Sequence, residues 1–254
     1  MKNFPLVFLI ATTIISFSCS PKLAHLYETK AMSSSKNQES LFENDTVKII
    51  YSFWSENGSY SFSVYNKLNI PLYIDWKKSS LVKNNDKLNY WSDEILTKSS
   101  SKRNSAYSYF GYSLLSSESG FSSSIKPEQV TFIAPKSTVY KIQFALNAKS
   151  DSKLPKTATI IDVTRSDNPK KKTKISFLNY DENNSPLFFR NFMTLSTSDK
   201  FEKEFYIDNG FFVYKISEMT IKQLTASSTA TGMSLMKAPS PYKKPSSFYV
   251  LSIK

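Results

Sequence analysis

The chain has 254 residues and a formal net charge of +12 at pH 7, from 33 Lys and Arg against 21 Asp and Glu. One Cys and one His cannot build a Cys/His zinc site or an intramolecular disulfide. The five Gly contain neither G-x-G-x-x-G nor G-x-x-x-x-G-K, which excludes Gly-rich nucleotide loops, while 40% hydrophobic and 15% aromatic residues suffice for a core.

Lys2 precedes an uncharged, mostly apolar run over residues 4–17. As a helix that run spans roughly 21 Å, short of the ~30 Å hydrocarbon core of a bilayer. Residues 1–18 therefore read as a signal peptide and not a membrane span. Cys19 follows directly, preceded by small Ser18. This placement resembles the lipobox of bacterial lipoproteins, with Ser16 where Leu is usual and Phe17 where a smaller residue is usual. The resemblance implies cleavage before Cys19, acylation of its thiol and attachment to a membrane. Ser20, not Asp, comes next, which implies an outer membrane lipoprotein. Ser20-Pro21-Lys22-Leu23 lacks an acidic export cluster, so the periplasmic face is slightly favoured over the cell surface.

Residues 19–45 read as a polar, lipid-anchored tether around Ser33-Ser34-Ser35-Lys36-Asn37-Gln38. Within it, residues 24–32 suit a short helix or an added strand, and His25 is expected on a solvated surface. Residues 46–254 form the folded domain. Residues 47–54 read as a strand, and Glu56-Asn57-Gly58-Ser59 as a hairpin turn. Tyr60, Phe62 and Val64 then alternate with Ser59, Ser61 and Ser63, the two-residue period of a half-buried strand. Residues 72–76 and 80–82 read as strands, and Lys83-Asn84-Asn85-Asp86 as the turn into residues 88–91. Residues 98–124 are Ser- and Tyr-rich and read as a long polar insertion. Further strands are expected over 130–133, 138–146, 157–163, 175–178, 187–195, 201–207, 211–216 and 248–253. Asp208-Asn209-Gly210 reads as a second hairpin turn. Residues 219–224 extend that last pair or start a short helix. Few helices and many short strands predict an all-β antiparallel sandwich.

The run from Tyr65 to Ser80, with Asn66, Pro71 and Leu72-Tyr73-Ile74-Asp75-Trp76, resembles uncharacterised lipoproteins of Bacteroidetes with an immunoglobulin-like β-sandwich domain. Ile133-Ala134-Pro135-Lys136-Ser137 and Ser185-Pro186-Leu187-Phe188-Phe189-Arg190-Asn191-Phe192 are similar to runs in the same group. The resemblance implies an immunoglobulin-like fold and an envelope location, and no activity. No second Cys exists for an inter-sheet disulfide.

Trp76 reads as a core residue between sheets. The alternative for Trp76 is a sugar-stacking platform shared with Trp54 and Trp91, and Trp91, followed by polar Ser92-Asp93-Glu94, is the candidate ligand-binding aromatic. Asp75 alternates away from Trp76 and suits either pairing with Lys77 or capping the Ser79-Ser80 turn. As one carboxylate of a glycoside hydrolase it would need Asp93 or Glu94 at about 5–5.5 Å for retention or about 6.5–9.5 Å for inversion. Asp45-Thr46-Val47 resembles a short Bacteroidetes O-glycosylation pattern, which makes Thr46 a candidate acceptor. The basic excess is almost all Lys, scattered except for Lys170-Lys171-Lys172 and Lys174, and lacks the Arg-rich or aromatic-interleaved runs of nucleic-acid readers. It suits a solvated surface attracted to anionic headgroups, an acidic glycan or an envelope protein. The sequence thus predicts a non-catalytic, lipid-anchored envelope protein, without cofactor or metal. A carbohydrate-binding module and a carboxylate-based hydrolase are the competing readings.

Overall fold

The computed structural model describes residues 23–32, 40–92, 96–98, 123–125, 128–148, 154–225 and 240–252. Cys19, Asp93, Glu94 and the interior of the 98–124 insertion lie outside these residues. The protein is an all-β sandwich of two packed antiparallel sheets with one short helix.

The smaller sheet is built from β2 (Leu41–Glu43), β3 (Val47–Ser52), β4 (Ser59–Asn66) and β10 (Thr138–Ala145), in the order β10-β4-β3-β2. Its inner face follows from the period of two: Val47, Ile49 and Tyr51 of β3 and Tyr60, Phe62 and Val64 of β4 are buried. The serines between them face outward. The β3–β4 connection holds Asn57 and Gly58 at φ of 63° and 70°. A Cβ on Gly58 would sit 2.9 Å from the Phe248 ring, so the glycine serves both the left-handed turn and the close approach.

The larger sheet has nine strands. Its spine is β14 (Glu204–Thr220), a single strand of 17 residues. One edge of β14 carries β13 (Phe188–Ser196) along its first half and β12 (Lys172–Asn179) further on; the other edge carries β1 (Leu23–Ala31). Beyond these lie β11 (Thr159–Thr164) on β12, β15 (Ser247–Ser252) on β1, and β5 (Leu72–Lys83) on β13. β6 (Asp86–Asn89) and β9 (Val130–Ile133) pair with successive parts of β5. Separately, β7 (Leu96–Lys98) pairs with β8 (Ser123–Ile125), so a two-stranded ladder closes the ends of the insertion. The helix α1 (Ile221–Thr225) follows β14 directly.

Four sequence expectations need correction. The tether does not extend to residue 45: β1 is a central strand between β14 and β15, and β2 belongs to the smaller sheet. The folded unit therefore starts by residue 23, not 46. His25 is not solvated; it is 2% exposed, and its Nε2 lies 3.2 Å from Glu218 Oε2 on the paired strand. Glu218 also accepts from the Leu154 backbone N–H at 3.1 Å. Asp208-Asn209-Gly210 is no turn: these residues sit mid-strand in β14, opposite Phe192, Asn191 and Arg190. Asn209 is there because its amide donates to a buried tyrosine. Gly210 leaves room for the Met32 side chain, which packs over it. Finally, residues 72–76 and 80–82 belong to one strand, β5, interrupted by a bulge. Asp75 pairs with Thr194 and Ser80 with Phe192, so residues 76–79 stand against Met193 alone.

The sheets meet over an aromatic core. Tyr51, Phe53, Tyr60, Phe189 and Phe211 pack with ring centroids between 4.8 and 6.3 Å apart, several edge to face. Trp76 is 4% exposed and donates from Nε1 to Thr131 Oγ1 at 2.7 Å, as its core reading requires. A polar network crosses this core. The Tyr51 hydroxyl accepts from Asn209 Nδ2 at 2.7 Å and Asn191 Nδ2 at 3.2 Å, and Tyr90 donates to Asn191 Oδ1 at 2.8 Å. Burial pushes the Tyr51, Tyr60 and Tyr90 phenols well above their ordinary range, so all three stay protonated. The Tyr60 hydroxyl is buried near that of Tyr90 and makes no hydrogen bond of ordinary geometry among the described residues.

The Asn66 side chain, fully buried, explains the run around Pro71 locally. Its Nδ2 donates to Ile70 O at 2.9 Å and Ile133 O at 3.2 Å, and its Oδ1 accepts from Leu68 N–H at 2.9 Å. One amide thus closes the β4–β5 loop and ties it to β9.

Candidate binding site

Asp75 and Trp91, two of the sequence candidates, have structural surroundings. Asp75 is 5% exposed, and its Oδ1 accepts from the backbone N–H of Lys77 at 2.9 Å and of Lys78 at 3.2 Å. Ser79 Oγ donates to the Asp75 carbonyl and accepts from Thr194 N–H, so this cluster fastens the β5 bulge to β13. Asp75 therefore caps the bulge at Lys77 and Lys78, and not the Ser79-Ser80 turn. Trp91 is partly buried against the main core, and the Lys77 ammonium lies 5.5 Å from its ring centroid. Trp54 packs against Tyr249 in the second, smaller core. Thr46 sits half-buried in the β2–β3 turn, where its N–H donates to Asn44 Oδ1 and its carbonyl accepts from Lys67 N–H. Among the described residues no three His, Cys, Asp or Glu side chains converge as a metal site.

The arrangement with the features of a ligand site lies elsewhere, on the outer face of the larger sheet. On β13, Phe189, Asn191 and Met193 point into the core, which turns Phe188, Arg190 and Phe192 outward. On β14, Ile207, Asn209 and Phe211 point inward, which turns Tyr206, Asp208 and Gly210 outward. The register then places Phe192 opposite Asp208, and Arg190 opposite Gly210. Arg190 Nη1 donates to Asp208 Oδ2 at 2.7 Å across that diagonal. Phe192 and Tyr206 stack with centroids 5.5 Å apart and ring planes 21° apart. Tyr206 is 58% exposed.

A cavity of about 550 Å³ opens beside the Arg190–Asp208 pair, bounded by Met32, Asn84, Asn85, Phe188, Arg190 and Asp208. Its volume is within the range of small-ligand sites. Gly210 lies in its floor, and the Met32 thioether rests on that glycine. The β5–β6 turn supplies its amides. Asn84 and Asn85 have φ of 46° and 75°, the left-handed pair of a type I′ hairpin. Asn84 Oδ1 accepts from Phe188 N–H at 2.9 Å, which ties the turn to β13.

The electrostatics of this face are balanced. Arg190 is paired with Asp208, and Lys78 with Glu204. The Lys78 ammonium holds the Glu204 carboxyl below its usual range. Glu204 in turn accepts from the Tyr206 hydroxyl at 3.1 Å, which holds that phenol up and protonated. In a chain of net charge +12, these side chains form a locally neutral strip of aromatic rings, donors and acceptors.

This site is masked in the sequence because the Asn209-Gly210 pair mimics a hairpin turn. Read as one strand, residues 204–212 show Tyr206 and Asp208 on the face opposite Ile207 and Phe211. The alternation of Phe188, Arg190 and Phe192 was legible, but Phe189 and Met193 between them make both faces apolar. Comparison with known proteins gives no match to a family model, to a curated protein or to a solved structure.

Proposed function

We propose that the chain is a lipid-anchored protein of the bacterial cell envelope with a non-catalytic binding or structural role. The observation that carries this reading is the placement of Cys19, the single cysteine, immediately after a Lys2-led apolar run too short to span a bilayer. Acylation there gives firm membrane attachment, since each buried CH₂ contributes about 0.8 kcal/mol. Ser20 after the cysteine favours the outer membrane, with the folded domain in the periplasm. The first strand starts at Leu23, so the domain sits close to the anchor and not at the end of a long leash. The non-catalytic part of the reading is supported by Asp75, whose carboxylate is committed to backbone amides.

Metabolic labelling with a palmitate analogue tests the anchor. The wild-type chain is expected to take up label and to fractionate with outer membranes; Cys19→Ala is expected to do neither. Equal membrane recovery of an unlabelled Cys19→Ala chain overturns the proposal.

A further inference from the structure

We infer that the outer face of β13 and β14 binds a neutral oligosaccharide, with the Phe192–Tyr206 stack as its platform and the Arg190–Asp208 cavity as its polar end. The inference rests on the binding role proposed above and names its ligand class and its residues; it does not depend on the anchor.

Three observations select that chemistry. The first is the stacked aromatic pair, of which Tyr206 is exposed and Phe192 half-buried beneath it. A pyranose ring presents an apolar C–H face, and an exposed stacked ring such as Tyr206 offers a flat apolar surface that excludes water when covered. The second is the mixture of hydrogen-bonding types within reach of that platform. Sugar hydroxyls both donate and accept. Asp208 supplies acceptors, the remaining guanidinium N–H groups of Arg190 supply donors, and the Asn84 and Asn85 amides border the same cavity. The third is charge. An anion would call for unpaired cations, yet Arg190 and Lys78 are both neutralised by carboxylates on this face. An Arg–Asp pair held at 2.7 Å is a fixed dipole suited to adjacent hydroxyls.

Continuity sets the length. Phe192 stacks on Tyr206 and pairs in register with Asp208, which bonds Arg190. From Tyr206 to Gly210 is four residues along one strand, roughly 13 Å. That reach exceeds one sugar ring and matches a short oligosaccharide lying along the strands, with one end in the cavity. Met32 closes that end through its thioether, a soft wall that adapts to the shape of the group it meets.

The test uses the full chain extracted in a detergent without a sugar headgroup. Maltotetraose, cellotetraose, xylotetraose, mannotetraose and chitotetraose are titrated by calorimetry, beside a sulfated and a uronic-acid oligosaccharide. At least one neutral tetrasaccharide is expected to bind. Tyr206→Ala and Arg190→Ala are each expected to weaken it about tenfold or more, with unchanged thermal midpoints. Tyr140→Ala, which removes a 79%-exposed tyrosine from the smaller sheet, should leave affinity unchanged. Three results overturn the inference: no neutral sugar binds at millimolar concentration, only the acidic oligosaccharides bind, or Tyr140→Ala weakens binding as much as Tyr206→Ala. Acylation of Cys19, read by mass on the same preparation, reports on the anchor separately.

Discussion

Deleting one hydroxyl at two neighbouring tyrosines should have opposite consequences. Tyr51 and Tyr60 are both about 1% exposed, and their ring centroids lie 6.3 Å apart. The Tyr51 hydroxyl accepts from two buried amides, at 2.7 Å from Asn209 and 3.2 Å from Asn191. Tyr51→Phe removes that acceptor and leaves both donors in an apolar interior. An unsatisfied buried polar group costs about 1–3 kcal/mol, so two of them sharing one lost partner should cost about 2–4 kcal/mol. For a domain of this size each kcal/mol moves the midpoint by roughly 2–4 °C, which predicts a fall of roughly 4–16 °C. Tyr60→Phe deletes a hydroxyl that lies near Tyr90 but makes no hydrogen bond of ordinary geometry among the described residues. Its removal relieves a desolvation penalty and leaves nothing unpaired, so stability should be unchanged or rise by up to about 1 kcal/mol. Urea unfolding of both variants, followed by tryptophan fluorescence, gives the two free energies on one scale. If Tyr60→Phe loses as much stability as Tyr51→Phe, the polar core described above is wrong.

Other predictions follow from single sites. His25→Ala should cost about 2–4 kcal/mol in urea unfolding, since it opens a cavity in a central strand and strips Glu218 of a partner; a flexible N-terminal segment would predict no change. Gly58→Ala should lose about 1–3 kcal/mol by the same assay, because the new Cβ meets Phe248 at 2.9 Å in a left-handed turn. Asp75→Ala should cost about 1–3 kcal/mol by freeing two amides of the β5 bulge, with Asp75→Asn, which keeps an acceptor, costing less. Acid should destabilise the fold in a defined window. Lys78 and Arg165 hold the Glu204 and Asp167 carboxyls below their usual range. Their stabilising contribution is therefore full above the unfolded-state carboxylate pKa and is lost as pH falls through the lower folded values. Thermal midpoints measured from pH 5 downward should drop, and Glu204→Gln should flatten part of that drop.

The hairpin at Asn84-Asn85 and the alternating burial of β4 were legible because their causes are local. A left-handed turn needs Asn or Gly, and a half-buried strand repeats every two residues. Gly210 was misleading for the same reason: the Asn-Gly signal is local, whereas the pairing that sets it mid-strand opposite Arg190 is made between separate segments of the chain. His25 and the whole of β1 were hidden by a polar stretch, residues 33–39, that separates them from the rest of the sandwich. The sequence also placed ligand chemistry on Trp91 and Asp75, which look conspicuous in isolation. The structure commits Asp75 to a bulge and stacks the exposed Tyr206 on Phe192 from two strands whose register no single segment encodes.

An intact mass of the chain isolated from its native membranes tests the central claim most directly. The expected species is a polypeptide beginning at Cys19 and carrying two or three acyl chains. A chain that begins elsewhere, or one with an unmodified Cys19, would contradict it.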